Sequence, residues 1–219
     1  MRRSTGSLFA FMLAFLTGVS ALPASLPAAD AKPAAAPAAS MPAGAPDAEA
    51  MQAKFKAYAA PGENHKVLEA LVGSWDAGVR MWQDPAGQPE ESTGASENRW
   101  VMGGRFLEQR FTGQFMGEPF EGTGLIGYDN IKQKYQSVWI DSMGTGMMTG
   151  TASYDPSTKV LTETGSHSCP ITGGDRQFRS VTTFVDADMI HLEFYGPGPD
   201  GKEFKGMEIT YKRRSPAGA

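Results

Sequence analysis

The sequence predicts an all-β fold: one antiparallel up-and-down barrel of about ten strands, with short helices at its N-terminal side. Three observations lead there. From Trp75 to Lys212 the side chains alternate with a period of two, and no stretch carries a convincing helical stripe. Turn signals recur at hairpin intervals along the same span. The chain also holds 26 glycines, and glycine permits the bends and bulges that a strongly coiled sheet needs. Short hairpins make neighbours in sequence neighbours in the sheet. Closure then removes the two unpaired edges that an open meander would leave.

The N-terminal part has a different character. Met1-Arg2-Arg3 is basic, Leu8 to Leu16 is apolar, and small residues follow through Ala31. This order predicts a secretory signal over residues 1–29, hence a periplasmic or secreted bacterial protein. The apolar run is shorter than the ~20 residues of a membrane span, so no stable span is expected after cleavage. Residues 30–50 are rich in Ala and Pro and read as an extended linker. The folded domain is expected over 51–214, with a disordered tail at 215–219.

Within that domain, Met51, Phe55 and Tyr58 fall at helical spacing behind Asp47, a natural N-cap. Pro61-Gly62 ends this segment. Asn64 can open a second short helix bearing Val67, Leu68 and Leu71. Both are too short to stand alone, so both are expected to pack on something. At Gly73 the chain must turn into the first strand, and glycine takes positive φ cheaply. Trp75 then offers a large apolar face to plug one end of a closed sheet. Asp84 to Gly87 marks the first turn. Strands follow at Ser96–Val101 and Phe106–Phe111, joined at Gly103-Gly104, and Met116-Gly117 marks the next hairpin. Phe120–Tyr128 precedes the clearest strand, Tyr135–Asp141, with Tyr135, Ser137, Trp139 and Asp141 on one face. Thr145–Tyr154, a short Val160–Gly165, a loose loop over 166–174, Gln177–Val185, Met189–Tyr195 and Glu203–Arg213 complete the set.

Composition narrows the function. The formal net charge is −4, and loss of Arg2 and Arg3 with a signal takes it to −6. An acidic chain without a basic stripe is a poor candidate for nucleic acid. The single cysteine, Cys169, forbids an intrachain disulfide and reads as a loop thiol. His65, His167 and His191 form no metal-ligand spacing, so no metal is expected. Gly122-Thr123-Gly124-Leu125-Ile126-Gly127 fits a dinucleotide fingerprint by letters, but it lies among strands with no helix after it.

Gly73-Ser74-Trp75 resembles the Gly-x-Trp signature on the first strand of calycins, the lipocalin and fatty-acid-binding superfamily. That resemblance implies a basic residue near the last strand's end stacked on the tryptophan, here Lys212, Arg213 or Arg214. The body resembles the bacterial family of unknown function DUF1579. The matching pieces are His65-Lys66-Val67-Leu68, Leu71 to Trp75, Trp100 to Leu107, Gly127 to Asn130, Tyr135, Trp139-Ile140-Asp141, Gly198 to Lys202 and Met207 to Tyr211. Gly144 departs from the pattern, where the resemblance implies serine. The resemblance implies a calycin-like barrel and brings no activity.

A lumen of eight to ten strands is wide enough for a small ligand. The expected function is therefore binding of one small hydrophobic or amphipathic molecule there, without a cofactor. Trp139, Tyr135 and Arg110 are the wall candidates. Arg105 either stacks on Trp100 or anchors an anionic ligand. Two alternatives stay open: an enzyme or haem protein using Asp141 or His191, and a structural or partner-binding barrel filled by its own side chains. His191 shares a face with Met189, Glu193 and Tyr195. Ordinary alternation places it outside, whereas a polar lumen would let it meet haem iron, as in the nitrobindins. Asp141 either caps the following turn or, near aromatics, works as an acid or base. Met143, Met147 and Met148 read as adaptable filling around a portal.

Overall fold

The computed structural model describes residues 47–198 and 200–215. The expected signal, most of the linker and the end of the tail lie outside them. The first described element is α1, Ala48–Ala59, so the last linker residues are helical. The Asp47 carboxylate caps it by accepting from the Glu49 amide. A short α2, Glu63–Lys66, runs into a 3-10 turn, Val67–Leu71.

Ten antiparallel strands follow: β1 Gly73–Met81, β2 Glu90–Val101, β3 Phe106–Phe115, β4 Glu118–Asp129 and β5 Lys134–Asp141. The second half is β6 Met148–Asp155, β7 Val160–Cys169, β8 Gly174–Phe184, β9 Met189–Pro197 and β10 Glu203–Arg213. Each pairs with its sequence neighbours, and β10 returns to pair with β1, closing the barrel. Trp75 lies opposite Arg213 and Val79 opposite Ile209 across that seam. One bulge, between Lys205 and Met207, lets β10 bend.

Closure fixes which side chains point inward. Trp75, Ala77 and Val79 of β1 stand beside Tyr211 and Ile209 of β10, and all five are buried. Following the register around the wall places Leu107, Phe111, Tyr135, Ala152, Leu161, Phe178, Phe184 and Ile190 on the same inner surface.

The core concentrates at one end, which α2 and the 3-10 turn cover. Leu68 is fully buried there beside Trp75. Tyr135 donates its hydroxyl to the Asn64 carbonyl at 2.8 Å, and His65 meets Tyr128 edge-on. Burial, and next the Arg105 charge, hold the His65 imidazole below its usual range. Its Nδ1 accepts from the Gly62 amide at 3.0 Å, which suits a neutral ring.

Three sequence expectations need correction. The span 166–174 is mostly strand: β7 and β8 form one long hairpin turning only at 170–173. Its lumen side carries Gly165 and His167 rather than apolar residues, so alternation is invisible there. Cys169 is consequently a buried strand-end residue and not a loop thiol. Finally, α1 buries none of its residues, and Phe55 is 66% exposed. The end of this segment is held through Asn130, whose amide donates to the Tyr58 and Ala60 carbonyls.

Candidate functional site

At the plugged end the first strand is locked by one arginine. Gly73 has φ +119°, and a Cβ there would lie 2.7 Å from Arg213 Nη1. The guanidinium stacks over Trp75 at 4.1 Å. It also donates to the Val72, Ala70 and Ala187 carbonyls at 2.6, 3.2 and 2.8 Å. Of the three basic candidates, Arg213 is thus the one on the tryptophan. Arg214 pairs with Asp76 at 2.6 Å, and Lys212 points outward.

Above the plug the interior becomes polar at one corner. Ser96, Asn98 and Gln109 project inward from β2 and β3. Ser96 donates to Asn98 Oδ1 at 2.7 Å, Gln109 to Ser96 Oγ at 3.0 Å, and Asn98 to the Leu71 carbonyl at 2.8 Å. The Tyr211 hydroxyl borders this set, and burial pushes it up to about 12 against a weaker opposing hydrogen bond from Gln109.

The half of the lumen away from the plug is built differently. Large inward side chains lie flat on glycines of the preceding strand. Phe111 covers Gly94, Trp139 covers Gly122 and Gly124, and Phe178 covers Gly165. Glu163 does the same over Gly150. A Cβ at Gly94, Gly122, Gly150 or Gly165 would come within 3.0 Å of the covering side chain. The glycines therefore let rings and a carboxylate lie along the wall instead of projecting across the centre. Ser137, Trp139, Met148, Glu163, Phe194 and Met207 face inward yet stay only half-buried. Since the surrounding wall is closed, that exposure is toward the interior and its mouth.

Glu163 is the central polar group of this region. It accepts from Ser137 Oγ across β6 and from Ser180 Oγ at 3.0 Å on β8. Nearer the mouth, Trp139 Nε1 donates to Asp141 Oδ2 at 3.0 Å, and Asp141 Oδ1 accepts from the Met143 amide at 2.9 Å. Asp141 thus both caps the turn and orients the indole. Phe178 and Phe194 stack at 4.9 Å on the opposite side of Glu163 in strand order. Two open surface depressions lie outside the lumen. One is at the rim beside Trp82, Arg176 and Phe204, the other on the wall around Asp76, Gly78 and Thr93. Met81, Met148 and Met207 bring adaptable side chains to the lumen side of the wall.

The expected site residues are distributed unevenly. Tyr135 and Trp139 line the interior, Tyr135 deep and buried, Trp139 near the mouth. Arg110 does not. It points outward, exposed, and pairs with Glu108 at 3.3 Å, while Gln109 takes the inward position. Arg105 sits in the β2–β3 turn at the plugged end and donates to the Met102 carbonyl at 2.9 Å, away from the mouth. His191 lies on the outer wall, with Nε2 3.9 Å from Glu208, while Ile190 and Leu192 face the core. A haem inside the barrel would not meet this imidazole. Sequence reasoning missed Glu163, Ser137 as its partner, and Ser180. The parity running from Leu161 was the available signal for Glu163, and both residues lie within the expected strand Val160–Gly165.

The family described as "Protein of unknown function (DUF1579)" matches residues 60–213. No curated protein matches the chain by sequence. Among solved structures, Rv2717c from M. tuberculosis is similar at a TM-score of 0.53 and 16% identity, over 71% of this chain and 100% of that one. The S-type phycobiliprotein lyase CPES from Guillardia theta is similar at 0.51 and 12%, over 74% and 97% respectively. At such identities the likeness is one of fold.

Proposed function

The chain belongs to the DUF1579 family, and from that premise we propose that it is an exported barrel binding one small, largely apolar molecule in its lumen. Entry is by the end opposite the plug. The observation that carries this reading is the row of inward aromatics lying on glycines, which keeps the upper lumen lined and narrow without crossing it. Apolar walls with a few convergent polar groups are the usual make-up of a small-molecule site. The fold likeness to a protein named as a phycobiliprotein lyase supports a site on this fold without naming its ligand. Export rests on the residue order at 1–29 and is tested by N-terminal sequencing of protein recovered from a periplasmic fraction.

A pair of adjacent substitutions tests the lumen. Met148 faces inward and Thr149 outward on β6. The wild-type protein should bind the neutral dye Nile red one to one with blue-shifted emission. Met148→Trp should lose that binding while Thr149→Trp keeps it. Binding that survives both, or that Thr149→Trp removes, places the dye on the outer surface and defeats the proposal. A barrel filled by its own side chains is the second reading. It is favoured by the position of both surface depressions outside the lumen, and no dye binding by the wild type would select it.

A further inference from the structure

We infer that the lumen selects a molecule with a cationic head, an amine or quaternary ammonium on an apolar body, entering head first to meet Glu163. This rests on the binding reading above and adds the ligand's chemical class. Four observations point to it.

Glu163 faces the interior from the middle of β7. Its carboxylate is fixed by two hydroxyls and lies over Gly150, where no side chain can intervene. Among the described residues no Lys, Arg or His nitrogen comes within 4.0 Å of it. On the outer wall, by contrast, carboxylates are matched: Glu208 with Arg80 and Lys205, Glu203 with Arg179, Glu108 with Arg99. A carboxylate fixed by two hydroxyls and lacking a cationic partner can accept charge-assisted hydrogen bonds from an incoming ammonium or sit against a quaternary one.

The walls beside Glu163 suit the same head. Ammonium groups are attracted to aromatic faces. Trp139 on β5 lies flat on Gly122 and Gly124, and Phe194 on β9 lies stacked on Phe178, so these two rings turn a face to the lumen.

The mouth repeats the sign of charge. The five connections at that end, with the strand ends beside them, carry Asp84, Glu90, Glu91, Glu118, Glu121, Asp141, Asp175, Asp200 and Glu203 against Arg80, Arg176, Lys202 and Lys205. At the plugged end the β2–β3, β4–β5 and β6–β7 connections carry Arg105, Lys132 and Lys159, and the β8–β9 connection carries Asp186 and Asp188. A negative mouth on a cleft of this kind draws cations in and slows anions.

The rim completes an amphipathic path. Met116, Met143, Met147 and Ile171 are exposed on three of its turns. From Glu163 to Cys169 the strand covers about 20 Å at about 3.3 Å per residue, somewhat less along a tilted barrel axis. A body of about a dozen carbons reaches from the carboxylate to the rim.

The test uses three probes with the same chain: dodecyltrimethylammonium, dodecanol and dodecyl sulfate, each below its micelle concentration and titrated calorimetrically. The ammonium should bind at least about tenfold tighter than dodecanol, with dodecyl sulfate weakest. Glu163→Gln should bring the ammonium down to the dodecanol value, and Glu163→Asp should keep the ranking. Equal affinity for all three, or a preference for sulfate, overturns the inference while leaving the lumen reading standing. Binding by none of them overturns both. If Glu163→Gln fails to fold, the ranking on the wild-type protein still decides.

Discussion

Arg213 shows how one residue carries several structural links. It stacks on Trp75, satisfies two carbonyls at the end of the plug and one in the β8–β9 turn, and makes Gly73 obligatory beside it. Arg213→Ala should cost about 2–4 kcal/mol in urea unfolding, from lost stacking and from carbonyls left without a donor. Arg213→Lys should recover less than half of that, because an ammonium lacks the planar fork. The Gly-x-Trp pattern made this contact legible from sequence, although three basic residues competed for it. Two buried tyrosines give a second prediction at this scale. Burial raises Tyr211 to about 12, and burial followed by the neighbouring Tyr128 and Tyr154 does the same for Tyr135. Both rings hold their protons more tightly folded than unfolded, where a tyrosine titrates near 10. Their contribution is fully present below about pH 10 and is lost as pH rises toward 12, on the order of 2 kcal/mol per ring. Denaturant midpoints should fall over that window in the wild type and less steeply in Tyr211→Phe.

At the scale of elements, the glycines in the strands are not interchangeable. Gly122 and Gly165 lie beneath Trp139 and Phe178, whereas Gly78 on β1 has open space at its Cβ. Gly122→Ala and Gly165→Ala should each cost about 1–3 kcal/mol by overpacking. Gly78→Ala should be neutral or stabilising by up to about 1 kcal/mol, since alanine loses less backbone freedom on folding. Thermal melts of the three variants check this, and equal losses at all three would count against ring-on-glycine packing. The strand pattern itself was legible wherever one face is apolar, as in Tyr135–Asp141. It failed where the lumen turns polar. With Gly165 and His167 inward on β7, no hydrophobic period marks the strand. The same polarity hid the parity of β3, where Gln109 faces in and Arg110 out. A charged residue beside an aromatic one does not reveal which of the two the barrel encloses.

At the largest scale the described residues form a closed ring of ten strands with one end plugged by Leu68, Trp75 and Tyr135 and the other lined by flattened rings around one carboxylate. Closure was legible because many short hairpins leave no other way to hide two edges. The use of the interior was not, since alternation specifies two faces without saying how much room lies between them. That room is the central claim, and a crystal pressurised with xenon measures it most directly, because xenon enters apolar space that water leaves unfilled. The account predicts an anomalous peak inside the strand ring, on the mouth side of Tyr135 and in contact with Trp139, Met148 or Phe178. A lumen filled by continuous side-chain density, with xenon absent or confined to the outer wall, would contradict it.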